Sequence, residues 1–302
     1  MKVFLTGATG YIGSGVAKAF RRAGHQVWGL IQSSTQVPLL AQYEIRPVIG
    51  DLRKPNSYLE VAEDCNVLVH CAADYQHDWA MSDRQTIETM LAASERGPQP
   101  KTIVFTSGSW VYGNTGGKPV DETTAPAPQI IAGAHRPAIE QMLIKAANVR
   151  GLVIRPANAY GKRGGMTGPW FADGYHGKAP MIVGDGYNHW PMVHVDDLAM
   201  GYLLAVESGL GGEIFNFADP SRATFRELVT AAVQAAGYKG AIESVPVPQA
   251  VERMSADAAV YAMDYLVDVG KATRRLGWKP KHESFIGEVE TYFEAWKAWQ
   301  SQ

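Results

Sequence analysis

The sequence predicts an α/β fold: a doubly wound parallel sheet with a smaller C-terminal substrate domain. Three observations predict it. Short apolar runs alternate with amphipathic stretches through the first 160 residues, the pattern of parallel strands joined by right-handed helical crossovers. The first run leads directly into three glycines and then a helix. After Tyr160 the alternation gives way to glycine-rich sequence.

Residues 3–5 read as a buried strand. Residues 12–23 read as an amphipathic helix with Ile12, Val16, Ala19 and Phe20 on one face. Between them Gly7, Gly10 and Gly13 are spaced G-x-x-G-x-x-G. Gly7 permits a tight turn, Gly10 lets the backbone approach a pyrophosphate, and Gly13 lets the helix pack on the strand. The N–H groups that open the helix, around Tyr11 and Ile12, face an anion. Thr6 and Thr9 add hydroxyl donors. With a strand before it and a helix after it, this pattern predicts dinucleotide binding.

Residues 25–31, 45–49, 67–71 and 103–105 read as the next strands, and Val153 and Ile154 lie in a sixth. A helix over 79–96 is expected to turn Met81, Ile87, Met90 and Leu91 inward, and another follows Pro137. Residues 161–186 hold many glycines and no long periodic segment, which predicts loops covering a site. His194-Val195-Asp196-Asp197-Leu198 opens a helix with Asp196 or Asp197 as its cap. Residues 214–217 form a late strand. Residues 224–236 form a helix begun by the capping-box pair Thr224 and Glu227. The last helix runs to about Trp299. The expected division is a dinucleotide-binding unit over 1–160 and a mainly substrate-binding unit over 161–302, with residues near 190–220 returning to the first.

The 302 residues, 46% hydrophobic and 19% charged, suit a soluble globular protein with a sizeable core. A net charge of -2 gives no reason to expect nucleic acid or an anionic membrane as partner. No apolar run approaches the roughly 20 residues that span a bilayer. Cys65 and Cys71 read as core residues, which fits a reducing compartment and a cytoplasmic location. The first strand begins at the N-terminus, so no signal peptide is expected. His, Cys and carboxylate spacing carries no metal signature. The expected partner is a small-molecule substrate, with a homodimer left open.

Residues 6–13 (TGATGYIG), Gly50-Asp51-Leu52, His70-Cys71-Ala72-Ala73, Val111-Tyr112-Gly113, Arg155-Pro156-Ala157-Asn158-Ala159-Tyr160-Gly161, His194-Val195-Asp196-Asp197-Leu198-Ala199 and Leu276-Gly277-Trp278 occur in this order over nearly the whole chain. In these motifs the chain resembles the extended short-chain dehydrogenase/reductase family, which includes nucleotide-sugar epimerases. The resemblance implies a Rossmann-type domain in which Asp51 and Leu52 sit against adenine. Ala72 and Ala73 would line the cofactor, and Pro156 and Ala157 would approach the nicotinamide. An acidic residue after the second strand would bind the ribose 2′-hydroxyl and repel a 2′-phosphate. Gln32, Ser33 and Ser34 stand there instead, neutral donors that serve either cofactor. The expectation favours NADP, with NAD left open.

The family's usual centre is a Ser or Thr followed by Tyr-x-x-x-Lys. The tyrosine moves the proton; the lysine holds the nicotinamide ribose and lowers the tyrosine pKa. Val111-Tyr112-Gly113 and Glu140 set the register, which places Gly108 at the serine, Ala132 at the tyrosine and Arg136 at the lysine. The resemblance is therefore to an atypical branch. Pro137 cannot donate a helix hydrogen bond to Gly133 and biases Arg136 away from helical angles. The presenting turn is expected to be unwound, with residues 135–137 as a loop entering the helix.

Replacement groups are Arg136 for ribose or phosphate, His135 as proton donor, and Ser107 or Ser109 to polarise a carbonyl. Tyr112, Asn158, Tyr160 and Trp190 are candidates for the substrate pocket, with Lys162, His176 and His189 near it. The expected function is an NAD(P)-dependent oxidoreductase acting on a carbonyl or alcohol of a small substrate. The alternatives are a non-catalytic dinucleotide-binding sensor, or a nucleotide-sugar epimerase or dehydratase. For a diphosphate the sequence offers only the scattered cations Lys162, Arg163 and Lys178.

Overall fold

Buried apolar runs with no alternation pair side by side because both of their faces must be covered. Six such runs, β1 (Lys2–Thr6), β2 (Gln26–Ile31), β4 (Val67–His70), β5 (Lys101–Thr106), β6 (Val149–Pro156) and β7 (Glu213–Phe217), pair here, and the mostly exposed edge strand β3 (Arg46–Ile49) adds to β2. In the computed structural model, which describes residues 1–74, 77–97, 99–130 and 133–301, they form one parallel sheet in the order β7-β6-β5-β4-β1-β2-β3. The strand order reverses between β1 and β4, where an open α/β sheet leaves a ligand crevice. The register pairs Thr6 with His70, His70 with Phe105, and Thr106 with Ile154. The carboxyl ends of the four central strands are thereby level, and the crevice opens above them.

Helix α1 (Tyr11–Arg22) buries Gly13, Val16, Ala17 and Phe20. It packs on the helix Val195–Glu207 on one face of the sheet. Helices α2 (Trp79–Glu95) and α3 (Arg136–Ile144) cover the other. A second core lies outside the sheet. Trp170, Phe171, Trp190, Phe225, Tyr265, Phe285, Tyr292, Phe293 and Trp296 fill it. The capping box forms as expected, with Thr224 and Glu227 satisfying each other's backbone N–H. Among the described residues no helix is long and apolar enough to cross a membrane.

Four local expectations are corrected. Met81 is 60% exposed. The buried face of α2 runs through Asp83, Thr86, Ile87, Met90 and Ser94; Met81 lies two residues before Asp83, about 200° around the helix, and so points away. Leu91 is only half-buried. Residues 161–186 are not all loop: they hold a helix, Gly168–Tyr175, and a strand, Met181–Val183, which pairs with Glu243–Val245. The helix exists because Trp170, Phe171 and Gly174 pack on partners some 50 or more residues away, Phe225–Ala235 and Val289–Gln300; a Cβ on Gly174 would come within 2.8 Å of Ala236 Cβ and Val233 O.

The cap of Val195–Glu207 is His194, whose Nδ1 accepts the Asp196 N–H at 3.2 Å. Asp197 is drawn elsewhere, accepting the backbone N–H groups of Lys281 and His282 at 3.0 and 2.9 Å. Finally, the turn before α3 is unwound as expected, with residues 133–135 outside the helix and Gly133 at φ +106°, but Arg136 and Pro137 are not loop: Arg136 is the first residue of α3, with His135 as N-cap and Pro137 next. A proline in the first turn withholds an N–H that has no intrahelical acceptor there, so it begins the helix rather than unwinding it.

Candidate functional site

The glycine turn forms a cradle at the end of β1. Gly7 has φ +72° and a Cβ there would stand 2.7 Å from Ala72 N. A Cβ on Gly13 would stand 2.1 Å from Gly7 O. Gly10 N–H donates to Gly7 O at 2.8 Å. Helix α1 starts with no side-chain cap and no acidic residue in its first turn, so its N-terminus faces the cradle with positive polarity. Thr9, Tyr11 and Ile12 are half-buried around it. A loop from the second half of the chain closes one side. Tyr11 donates its hydroxyl to Gly161 O at 2.7 Å, and Arg163 Nη2 donates to Thr9 O at 3.0 Å. Burial pushes the Tyr11 phenol far above its usual range, so it stays a neutral donor. A cradle that a Cβ would fill, at an uncapped helix N-terminus, fits the pyrophosphate of a dinucleotide.

Beside it, a groove of about 390 Å³ lies at the ends of β2 and β3, lined by Gln32, Ile49, Gly50, Asp51, Arg53 and Lys54 among others. Gln32 lines it and, like Ser33 and Ser34 after it, is exposed; Ser33 Oγ accepts the Thr35 N–H at 3.2 Å. Leu52 is buried. Hydrogen bonds from Arg53 hold the Asp51 carboxyl below its usual range. The sequence reasoning missed Arg53 and Lys54. They follow β3, whereas the rule for reading cofactor choice looks only after β2; the signal was their position directly behind Gly50-Asp51-Leu52.

A cluster of polar side chains gathers above β1, β4 and β5. Arg136 Nη1 donates to Ser107 O at 2.6 Å, and the guanidinium lies 4.5 Å over the Trp79 ring. His135 Nε2 stands 2.9 Å from Asp83 Oδ2; His70 Nε2 stands 3.0 Å from Asp83 Oδ1. Thr6 Oγ1 is 2.7 Å from His70 Nδ1, as the β1–β4 register demands. Burial pushes the Asp83 carboxyl up, but the hydrogen bonds from His135 and His70 outweigh it and hold it down at about 2. Ser107 Oγ is buried without a hydrogen-bond partner among the described residues. Ala72 and Ala73 line the β4 end of this crevice half-buried, and Pro156 and Ala157 its β6 end, buried. Ala132 lies outside the described residues.

Asp83 escaped the sequence reasoning. Its signal was helical phase: it shares the face of Ile87 and Met90 at i+4 and i+7, and a carboxylate on an apolar face needs partners.

Other expected residues are drawn into the walls. Ser109 Oγ lies 3.3 Å from Tyr265 OH, and Asn158 Nδ2 donates to that hydroxyl at 3.1 Å. Tyr112 donates to Asn216 Oδ1 at 2.9 Å and accepts from Arg155 Nη1 at 2.8 Å, while Arg155 Nε pairs with Glu140 Oε1 at 3.0 Å. Tyr160 and Trp190 are buried in the aromatic core. The cations named for a diphosphate do not gather: Lys162 pairs with Asp196 at 2.7 Å, Arg163 turns to the cradle, and Lys178 is exposed beyond Gly168–Tyr175. His189 pairs with Asp264 at 2.9 Å, and His176 is exposed.

His194, Asp197 and His282 cluster within 4.8 Å of one another. The two imidazoles are stacked, centroids 3.6 Å apart and planes 20° from parallel. His194 Nδ1 already accepts the Asp196 N–H, and His282 Nδ1 lies 3.0 Å from Asp197 Oδ2.

Residues 3–218 match the NAD dependent epimerase/dehydratase family. The chain is 26% identical over 310 residues to an uncharacterized protein of Schizosaccharomyces pombe, covering 97% of this chain and 100% of that one. It is 26% identical over 258 residues to a 4-hydroxy-2-methyl-3-oxo-4-farnesyl-3,4-dihydroquinoline-1-oxide ketoreductase of Stigmatella aurantiaca, covering 82% and 76%. Its fold matches the crystal structure of UDP-glucose 4-epimerase with UDP-glucose from Thermotoga maritima, with a TM-score of 0.84, 23% identity and 99% and 100% of the two chains covered. The matched residues take in the glycine cradle, the whole seven-stranded sheet and the crevice above it. The chain belongs to the NAD-dependent epimerase/dehydratase family.

Proposed function

We propose that this protein is an NAD(P)-dependent oxidoreductase acting on a carbonyl or alcohol of a small substrate, with a proton-transfer group that is not tyrosine. One observation carries the reading. At the place expected for the family's Lys stands a cation, Arg136, held on Ser107 O, and directly before it a titratable ring, His135, anchored on a buried carboxylate.

Gly7, Thr9, Gly10, Tyr11, Ile12 and Gly13 would hold the pyrophosphate. Gln32, Ser33, Ser34, Asp51 and Leu52 would hold the adenosine half, and Ala72, Ala73, Pro156 and Ala157 the nicotinamide. When bound, the cofactor supplies or takes the hydride. Arg136 binds ribose hydroxyls through its fork of donors. The unpartnered Ser107 hydroxyl donates to a substrate or cofactor oxygen. NADP is favoured over NAD because no carboxylate follows β2. The likeness to a ketoreductase along most of the chain supports carbonyl reduction. Nucleotide-sugar chemistry is supported by the fold, and less by a site whose cations are scattered. The experiment is a fluorescence titration with NADPH and NADH, followed by cofactor oxidation assays over a panel of carbonyls. Tight binding with no turnover on any carbonyl would replace this reading with that of a dinucleotide sensor.

A further inference from the structure

We infer that His135, its tautomer fixed by a buried chain through Asp83, His70 and Thr6, exchanges the proton with the substrate oxygen, and that Asp83 and His70 are its positioning residues. The inference deepens the oxidoreductase reading and rests on it.

The protons of this chain can be assigned one by one. Asp83 is 2% exposed, and a buried carboxylate persists only when donors satisfy its oxygens. Ionised, it can only accept. Both nearby rings must therefore present N–H: His70 Nε2–H to Oδ1 and His135 Nε2–H to Oδ2. With His70 neutral, its Nδ1 is an acceptor and the Thr6 hydroxyl donates to it. Thr6 Oγ1 in turn accepts the Ala72 N–H at 3.4 Å. The chain is thus closed at the Thr6 end by a peptide N–H, which exchanges no proton in catalysis. It opens at the other end, where the His135 side chain is 18% exposed against 1% for His70.

Because Nε2–H of His135 is committed to Asp83, Nδ1 is the ring nitrogen left to gain and lose a proton. The ring meets the Asp83 carboxylate on α2 at 2.9 Å, and His70 and Arg136 act on that same carboxylate. The Trp79 ring meets its face edge-on, with centroids 5.6 Å apart. The carboxylate stabilises the imidazolium and fixes its orientation, as a buried carboxylate does for an imidazole base.

In the reducing direction the His135 Nδ1–H bond breaks and an O–H bond forms on the substrate oxygen; the hydride for the carbonyl carbon would be supplied by the bound reduced cofactor. The imidazolium becomes neutral and Asp83 stays ionised.

The test is 15N NMR on histidine-labelled protein, with His135 assigned by its loss in His135→Gln. The expected result, read across pH, is an Nε2 that stays protonated throughout, with Nδ1 bare in the neutral ring and carrying the second proton in the imidazolium. Asp83→Asn, equal in size and uncharged, should abolish that preference and lower kcat about 10- to 100-fold, with cofactor affinity kept within about twofold. His135→Gln should lower kcat about 100-fold or more. A wild-type His135 protonated on Nδ1 and bare on Nε2 would overturn the inference. So would an Asp83→Asn protein with unchanged tautomer and kcat. If Asp83→Asn does not fold, the wild-type tautomer alone decides. A protein that reduces nothing but shows the expected tautomer would sink the oxidoreductase reading and leave the proton assignment standing.

Discussion

The Arg136 guanidinium lies against Gly108: a Cβ on Gly108 would stand 3.0 Å from Arg136 Nη1. That nitrogen is already bound to Ser107 O at 2.6 Å, and its guanidinium rests on Trp79, so it has little room to retreat. A side chain at residue 108 and the present position of the Arg136 guanidinium therefore compete for the same space. Gly108→Ser should push the guanidinium aside by a few tenths of an ångström and weaken cofactor or substrate binding about three- to tenfold, while Arg136→Ala should weaken it further. Cofactor affinity and KM measured for both variants check this. Full affinity in both would remove Arg136 from the binding site.

Gly10 and Gly13 should fail in different ways. A Cβ on Gly13 meets the Gly7 carbonyl oxygen at 2.1 Å, whereas one on Gly10 meets it at 3.0 Å and Gly10 is exposed. Gly13→Ala should cost about 3 kcal/mol of stability. Gly10→Val should keep the fold by circular dichroism and weaken both dinucleotides about 100-fold or more. Wild-type affinity in a folded Gly10→Val protein would place the pyrophosphate elsewhere.

Cofactor choice should respond to charge at the rim of the groove. Gln32→Asp and Ser34→Asp each bring a carboxylate toward the adenosine ribose, and should lower the NADPH:NADH affinity ratio about tenfold. An unchanged ratio in both would show that no 2′-phosphate lies there.

Glu140 and Arg155 are 0% and 1% exposed and tie α3 to β6. Glu140→Gln leaves the guanidinium buried without its counter-charge and should destabilise the protein by about 3–5 kcal/mol. Urea unfolding measures this; a loss under about 1 kcal/mol would mean that Arg155 finds another partner.

Stability should fall on mild acidification through His194. Burial, then the neighbouring His282, holds its folded pKa down at about 4 against an ordinary 6.5. The unfolded chain gains a proton near pH 6.5 that the folded chain refuses until about pH 4. The contribution is complete above 6.5 and is lost as pH falls through this window, on the order of 3 kcal/mol in all. Asp219 works in the opposite sense. Burial pushes it up to about 6 from 3.8, so its contribution is lost as pH rises between those values. His194→Asn keeps an acceptor for the Asp196 N–H and removes only the first effect. Urea unfolding from pH 7 to 4.5 should show a shallower acid loss in the variant, and equal slopes would contradict the assignment.

The parts of the fold that sequence reading recovers are those written locally. The apolar runs of β1 to β7, the glycine spacing before α1 and the Thr224–Glu227 box each need only neighbouring residues. The helix Gly168–Tyr175 does not: its apolar face is made useful by segments far along the chain. The inward turn of Asp83 is set by His70 and His135, 13 and 52 residues away, and the exposure of Met81 follows from the same rotation of α2. At the candidate site, register alone points to Arg136 and to its neighbour His135 as a replacement group, but their placement needs Gly108, Trp79 and Asp83 together. Ser109, Tyr112 and Asn158 read equally well as pocket residues or wall; only the partners Tyr265, Arg155 and Asn216 show which atoms are already engaged.

The most direct test of the central claim follows a labelled hydride. NADPH and NADH deuterated at C4 of the nicotinamide are incubated with the protein and a panel of aldehydes and ketones, and the products are read by mass spectrometry. The account predicts one deuterium on the carbinol carbon of at least one product, formed with oxidation of an equal amount of cofactor and lost in His135→Gln. Cofactor bound by the glycine cradle, with no deuterium in any product, would contradict it.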